Sequence, residues 1–260
     1  VKTIVLGHGF LGKAFEEHKY TVLSKKDFEF TGNVKELDKL NKYDIIINCI
    51  GKSNTRWCEK QENLESVILS NSLLPAALSE FCAKRNKKFV HISTGCLYDR
   101  TDIENTEDEF ITAHCFYTVS KWLGESGCDK DRDLILRPRL YFSDKEESNN
   151  LLCKIRKFTT FTSDKKDSLS STDLIVEATG ALIRSKQSGI FNVAHEGSLS
   201  IKEIADICGL KGSDITADEL RKREKLYLVN NVMSIDKLKK FYKPTHIKDA
   251  IALNNKKLNK

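Results

Sequence analysis

At 260 residues the chain is long enough for one large α/β domain, or a domain with a smaller lobe, and can bury a sizeable core. Its 40% hydrophobic and 31% charged content is that of a globular protein, and no apolar run approaches the roughly 20 residues that span a bilayer. A net charge of +6, with Lys256, Lys257 and Lys260 at the tail, reads as a solvated lysine-rich surface and not as a nucleic-acid footprint.

The eight cysteines are scattered without CxxC spacing, which points to reduced thiols in a cytoplasmic compartment and away from a disulfide framework or a zinc site. The first residues lack a signal peptide's charged and apolar regions. The expectation is a cytoplasmic protein with neither a membrane nor a nucleic-acid partner. Its mildly basic balance would suit an anionic substrate such as a nucleotide diphosphate.

Lys2 to Leu6 reads as a short apolar strand, followed by Gly7-His8-Gly9-Phe10-Leu11-Gly12 and a helix through about Glu17. Strand, glycine turn and helix in that order are the context in which GxGxxG binds a dinucleotide. Gly7 would permit the tight turn and Gly9 the close approach of a pyrophosphate, while Gly12 lets helix pack on strand. Phe10 and Leu11 open the helix whose N-terminus faces the phosphates. A purely structural turn also fits these residues. A second strand, Tyr20 to Leu23, leads into Ser24-Lys25-Lys26. An acid there would bind ribose hydroxyls, whereas a hydroxyl and two cations favour a 2′-phosphate and hence NADPH. Asp27 is the nearest carboxylate, and an exposed loop end would explain the lysines equally well.

Asp44 to Ile50 is an isoleucine-rich run of the kind a buried parallel strand needs. Its end, Asn48-Cys49-Ile50-Gly51, would pass beside the cofactor. A helical pattern spans about Leu64 to Lys84. Then come a strand ending at Ser93, a helix from Phe116 to Cys128 and a strand from Asp133 to Leu136. The alternation predicts an α/β, Rossmann-type doubly wound parallel sheet. After Arg137-Pro138-Arg139 the pattern loosens. Helices are expected at Asn149–Phe158, Asp173–Ser185, Ser200–Cys208, Ala217–Glu224, Ser234–Phe241 and Ile247–Leu253, with a strand at Gly189–Val193. The organisation expected is a cofactor domain over 1–140 and a smaller, mostly helical substrate lobe over 141–260, some of whose segments return to the core.

The stretch from Ser93 to Lys121 carries the chemistry. Tyr117 and Lys121, four apart, lie on one face of a helix. A lysine ammonium there lowers the phenol's pKa, so that the tyrosine can exchange a proton near neutrality. Thr94, at the strand end, can offer a second hydroxyl to the same carbonyl oxygen. A solvated helix face explains the Tyr–Lys spacing alone.

GxGxxG, STGCLY, YTVSK and LRPR, in this order, resemble the extended short-chain dehydrogenase/reductase superfamily. Within it, Thr94-Gly95-Cys96 is similar to the strand end of bifunctional 3,5-epimerase/4-reductases of UDP-4-keto-6-deoxyglucose, which make UDP-L-rhamnose. The related dTDP-4-dehydrorhamnose reductases and GDP-fucose synthases share the Tyr/Lys pair. The resemblance continues through Asn54-Thr-Arg-Trp57-Cys58-Glu59, Phe116-Tyr117, Asn149-Asn150-Leu-Leu-Cys-Lys154, Ile190-Phe191-Asn192 and Asn230-Asn231, and so covers nearly the whole chain. The chain departs from it at the first turn, where the family more often has GxxGxxG.

The resemblance implies that Thr94, Tyr117 and Lys121 form the reductase group, with Cys96 the epimerase base and Lys154 its acid. NADPH would be the cofactor and a UDP-sugar the substrate, and a homodimer is admitted. Trp57, Arg139, Asn149 and Asn150 are expected on the substrate side, with Thr94 and Cys96. For Trp57 and Arg139, aromatic packing and a surface ion pair are equally good readings. A sugar dehydratase would want Asp-Glu where Gly95 and Cys96 stand. The remaining alternatives are a monofunctional 4-ketosugar reductase and a non-catalytic NADP-binding regulatory subunit. The C2 substituent, hydroxyl or acetamido, is not written in any of these residues.

Overall fold

The computed structural model describes residues 1–98, 100, 103–224 and 230–260. It divides into two compact units. The first comprises residues 1–97, 111–137 and 186–191, and the second 98–110, 138–185 and 192–260. The chain thus passes between them several times, one of the crossings lying between Arg137 and Pro138.

The first unit is built on β1 (Thr3–Leu6), α1 (Phe10–Glu17), β2 (Val22–Leu23), β3 (Ile45–Asn48), α2 (Thr55–Cys58), α3 (Leu64–Ile68) and α4 (Leu74–Lys84). It continues with β4 (Lys88–Ile92), then, after the short β5 (Glu104–Asn105) of the second unit, α5 (Phe116–Ser126) and β6 (Leu134–Pro138). The strand order is β10-β6-β4-β3-β1-β2, with β10 (Gly189–Val193) returning from far along the chain to the sheet edge. β2, β1, β3, β4 and β6 pair in parallel. The fold class is the Rossmann-type α/β expected.

Alternate residues of these strands face opposite sides, and both sides are covered. Ile4, Leu6, Ile46, Phe89 and Ile135 join Leu74, Leu78, Phe81 and Cys82 of α4 in one core, while Val5, Ile47, Val90 and Leu136 are fully buried between them. The order reverses beside β1, and the turns after β1 and β3 flank that point, where open sheets of this kind carry ligands beyond the carboxyl ends of the strands.

Between α3 and α4 the helix loosens into a π turn, Leu69–Leu73, without breaking. Pro75, at the start of α4, has no N–H to give to a regular α ladder, and the wider turn accommodates it. The continuous helix Gln61–Lys84 is 24 residues long and contains an 18-residue window with a mean hydropathy of 1.3, enough by length and composition to cross a membrane. This corrects the expectation that no segment approaches such a span: the charges of this stretch sit at its ends. Leu74, Leu78, Phe81 and Cys82 spend its apolar face on the sheet.

The second unit contains β5, β7 (Tyr141–Phe142), α6 (Leu151–Ile155), β8 (Thr160–Thr162), β9 (Ser170–Ser171), α7 (Thr172–Arg184), α8 (Ile201–Ile207), β11 (Ser213–Ile215), α9 (Ala217–Glu224), β12 (Val232–Met233), α10 (Asp236–Lys239) and α11 (Ile247–Leu258). Besides its helices, its described residues form the two-stranded parallel pairs β11–β8, β12–β5 and β7–β9, which the expected mostly helical lobe lacks. Phe142, Leu151, Leu152, Ile155, Leu199, Ile204, Ile247 and Ile251 form its core.

Candidate active site

The glycine turn has the shape a pyrophosphate needs. Gly7 has φ +100°, a conformation costly for any side chain, and a Cβ on Gly12 would stand 1.9 Å from the Gly7 carbonyl oxygen. A Cβ on Gly9 would meet nothing within 4 Å, so the space above the turn is open to a ligand. No side chain caps the N-terminus of α1 and no acid lies in its first turn. The backbone N–H groups of Phe10 and Leu11 and the helix dipole are therefore set for an anion. These residues fit a dinucleotide.

At the end of β2 the residues are partly engaged with one another. The Ser24 hydroxyl donates to Asp27 Oδ2 at 2.6 Å and its N–H does so at 3.0 Å, which holds the Asp27 carboxyl below its ordinary range. Lys25 pairs with Glu29 at 3.0 Å. Lys26 is exposed beside Asp27.

After β3, Asn48 Oδ1 accepts the N–H of Ile50 at 3.1 Å, turning Cys49 and Ile50 toward Gly51. Burial pushes the Cys49 thiol far up. Asn71, in the π turn, accepts the N–H of Lys52 at 2.7 Å and donates to the Lys52 carbonyl and to Ser120 Oγ, each at 3.0 Å. It ties the loop after β3 to α5. A Cβ on Gly124 would lie 1.9 Å from the Asn71 carbonyl, so α5 runs against the π turn at nearly backbone contact.

That contact places the Tyr–Lys face. Tyr117 is 7% exposed and packs with Cys58, Val67, Trp57, Cys96, Cys115 and Phe116. Glu59 accepts the Tyr117 backbone N–H at 3.2 Å and so serves as an acid at the N-terminus of α5. Lys121 Nζ donates to the Ile92 carbonyl at 2.8 Å. Burial lowers its pKa to about 8, against the attraction of Glu125. At the end of β4, Thr94 Oγ1 accepts the N–H of Cys96 at 3.1 Å, which fixes the threonine hydroxyl two residues from the thiol. Thr94, Cys96, Tyr117 and Lys121 all belong to the first unit, and Cys96 and Tyr117 share one cluster.

The other expected residues are placed differently. Lys154 occupies the last turn of α6 in the second unit, and burial lowers its pKa. Asn150 is the cap of that helix: its side chain accepts from Leu152 N and Ser143 N and donates to the Ser143 and Lys145 carbonyls. Asn149 beside it is exposed. Arg139 is 2% exposed, with Nη2 donating to Asp167 at 2.6 Å, so its ion pair is buried and not superficial. Trp57 lies under the Lys52 ammonium, 5.3 Å from the ring centroid. Among the described residues no disulfide joins the cysteines.

Asn71, Glu59, Glu125 and His91 are site neighbours to which the sequence reading assigns no role. For Asn71 a signal exists: a polar amide, a poor helix former, in the middle of an apolar helical run. His91 lies beside Asn48 across the β3–β4 register, its Nδ1 3.5 Å from the Asn48 amide nitrogen and its buried Nε2 unpartnered. Burial holds it neutral, well below its ordinary value.

Sheet, glycine turn and the Tyr–Lys helix define a Rossmann-type α/β protein of the reductase kind. The family model described as RmlD substrate binding domain matches residues 5–218, and the chain belongs to that family. Among curated proteins it is similar to the probable low-salt glycan biosynthesis reductase Agl14 of Haloferax volcanii, 24% identical over 234 residues, which are 82% of this chain and 75% of that protein. The L780 UDP-rhamnose synthase from Acanthamoeba polyphaga mimivirus superposes with a TM-score of 0.83 at 18% identity, covering 98% of this chain and 99% of that one. A dTDP-4-dehydrorhamnose reductase from Bacillus anthracis, solved in complex with NADP, superposes with a TM-score of 0.79 at 18% identity over 96% of each chain. At these identities the structures speak for the fold alone.

Proposed function

We propose that this protein is an NADPH-dependent, bifunctional 3,5-epimerase/4-reductase that converts a UDP-4-keto-6-deoxyhexose to the UDP-6-deoxy-L-hexose, UDP-L-rhamnose or an N-acetylated relative. The observation that carries the reading is the grouping at the end of β4: Cys96 packs against the cluster that contains Tyr117, and the Thr94 hydroxyl is fixed by the Cys96 N–H. The family, and solved relatives that hold NADP or make UDP-rhamnose, support the cofactor and substrate class.

In this mechanism the C4 ketone acidifies the protons on C3 and C5. Thr94 and Tyr117 hydrogen-bond the C4 oxygen and stabilise the enolate. Cys96 removes a ring proton as thiolate, and Lys154, its basicity reduced by burial, returns one on the other face. The glycine turn and the strand ends would hold NADPH, which would supply the hydride for reduction at C4. Tyr117 protonates the oxygen, and the Lys121 ammonium eases that transfer.

Incubation with NADPH and a panel of UDP- and dTDP-4-keto-6-deoxy sugars, with products assigned by NMR, tests the proposal. The expected product is inverted at C3 and C5 and reduced at C4. Reduction without inversion would make the protein a plain 4-ketosugar reductase. One observation favours that second reading: Cys96 is half-buried among Cys58, Cys115, Trp57 and Phe116, surroundings that suit a packing cysteine too. No turnover of NADPH with any of these sugars would leave a non-catalytic nucleotide-binding subunit.

A further inference from the structure

Glu125 lies one turn beyond Lys121 on α5 and is 2% exposed. Its carboxylate accepts the Ser93 hydroxyl at 2.8 Å and Arg137 Nε at 3.0 Å, both on Oε2, and Arg137 Nη2 on Oε1. Ser93 and Arg137 are equally buried, at 2% and 1% exposure. The carboxylate therefore joins α5, the end of β4 and β6 inside the first unit.

Stability alone does not account for this arrangement. A buried ion pair costs about as much to desolvate as its attraction returns. Its location does account for it. Ser93 is the residue before Thr94, so the hydrogen bond from its hydroxyl fixes the strand end that carries the threonine. Around the Lys121 ammonium stand the Ile92 carbonyl and His91 of β4, Cys49 after β3, Glu125 of α5 and Cys128 just beyond that helix. The two thiols are pushed far up by burial and His91 is held neutral. Glu125, one turn along the helix and itself paired with the Arg137 guanidinium, is the carboxylate that attracts the ammonium.

We propose that Glu125 is a positioning residue of the reductase: through Ser93 it holds Thr94 in place, and it supplies the buried counter-charge of Lys121. The inference rests on the reading of Thr94, Tyr117 and Lys121 as the reductase group.

The test uses Glu125→Gln and, because that change strands the Arg137 guanidinium, the charge-balanced Glu125→Gln/Arg137→Met. Lys121 is titrated by NMR in protein carrying 13C-labelled lysine, without cofactor, its signal identified by its loss in Lys121→Arg. In both variants the midpoint is expected to fall by about one pH unit, the least shift usual for loss of a close opposite charge. The alkaline limb of kcat for ketone reduction moves down with it. Ser93→Ala is expected to lower kcat while leaving the lysine titration in place. An unchanged Lys121 midpoint in the folded variants would overturn the proposal. So would loss of the fold in both, which would make the trio a structural clamp. If the parent reduces no 4-keto sugar nucleotide, the reading of function fails by itself, and the lysine titration still decides on the counter-charge.

Discussion

At the scale of single residues, Lys121 ties activity and stability to pH in opposite senses. Its folded pKa of about 8 lies below its ordinary 10.5, so between those values the unfolded chain holds more protons than the native one. Its contribution to stability is therefore complete above pH 10.5 and lost as pH falls through about 8. The assistance it gives Tyr117 needs the ammonium and fades as pH rises through the same value. Denaturant titrations of wild type and Lys121→Met between pH 7 and 10, set beside the pH profile of kcat, should show the two trends crossing. On the acid side His91 and His195, held well below 6.5 and at about 4, stabilise fully above pH 6.5 and progressively less below it. His91→Gln should flatten that acid slope in urea titrations. Cofactor preference turns on another residue. With Lys25 paired to Glu29 and Ser24 bonded to Asp27, Lys26 is the cation set to meet a 2′-phosphate. Lys26→Glu should erode the preference for NADPH over NADH, read as the ratio of kcat/KM, more than Lys25→Glu does. Equal effects would show that the exposed lysines act only as diffuse charge.

At the scale of elements, the contact between α5 and the π turn sets the catalytic face. Gly124→Ala would drive a methyl group to 1.9 Å from the Asn71 carbonyl. The helix must shift, with overpacking costing about 1–3 kcal/mol. Thermal melts should register the loss, and reductase activity should fall further than stability alone requires, since Tyr117 and Lys121 ride on the same helix. The elements themselves were readable to different degrees. Each strand of the main sheet lies within about two residues of its expected bounds, because short isoleucine- and valine-rich runs between turns mark buried parallel strands. The π turn left no periodic signal, being one slack turn inside an apolar helix. The paired strands Tyr141–Phe142 and Ser170–Ser171 are two residues long, too short for any alternation to show. α6 is shorter than Asn149–Phe158 because Asn150 caps it and the helical bonds end near Ile155. Of the candidate site, motif spacing picks out Thr94, Tyr117 and Lys121, and the resemblance adds Cys96. The groups that hold them were not legible: Asn71 and Glu59 act across a long distance in sequence, and Glu125, one turn beyond Lys121, looks like an exposed helix partner until the fold buries it with Ser93 and Arg137.

At the scale of the molecule, the proposed reductase residues lie in one unit and the proposed epimerase acid, Lys154, in the other. The two half-reactions should therefore separate by mutation. Cys96→Ala is expected to abolish deuterium uptake at C3 or C5 in deuterated water without NADPH. Lys154→Ala should slow net inversion more than first proton loss, while an already inverted 4-keto sugar is reduced normally. Undiminished exchange in Cys96→Ala would move the base elsewhere. A homodimer, part of the same proposal, is checked by light scattering on the purified protein. The path of the chain has one more effect. β10 completes the sheet edge next to β6 yet follows the bulk of residues 138–185, which belong to the second unit. During synthesis the first unit cannot close its sheet until residue 193 has left the ribosome, so β6 waits with unpaired backbone groups while the second unit is still being made. A fragment ending near residue 140 should keep that bare edge permanently and collect as aggregate, whereas a circular permutant that begins just before β10, and so makes β10 ahead of β6, should remove the wait.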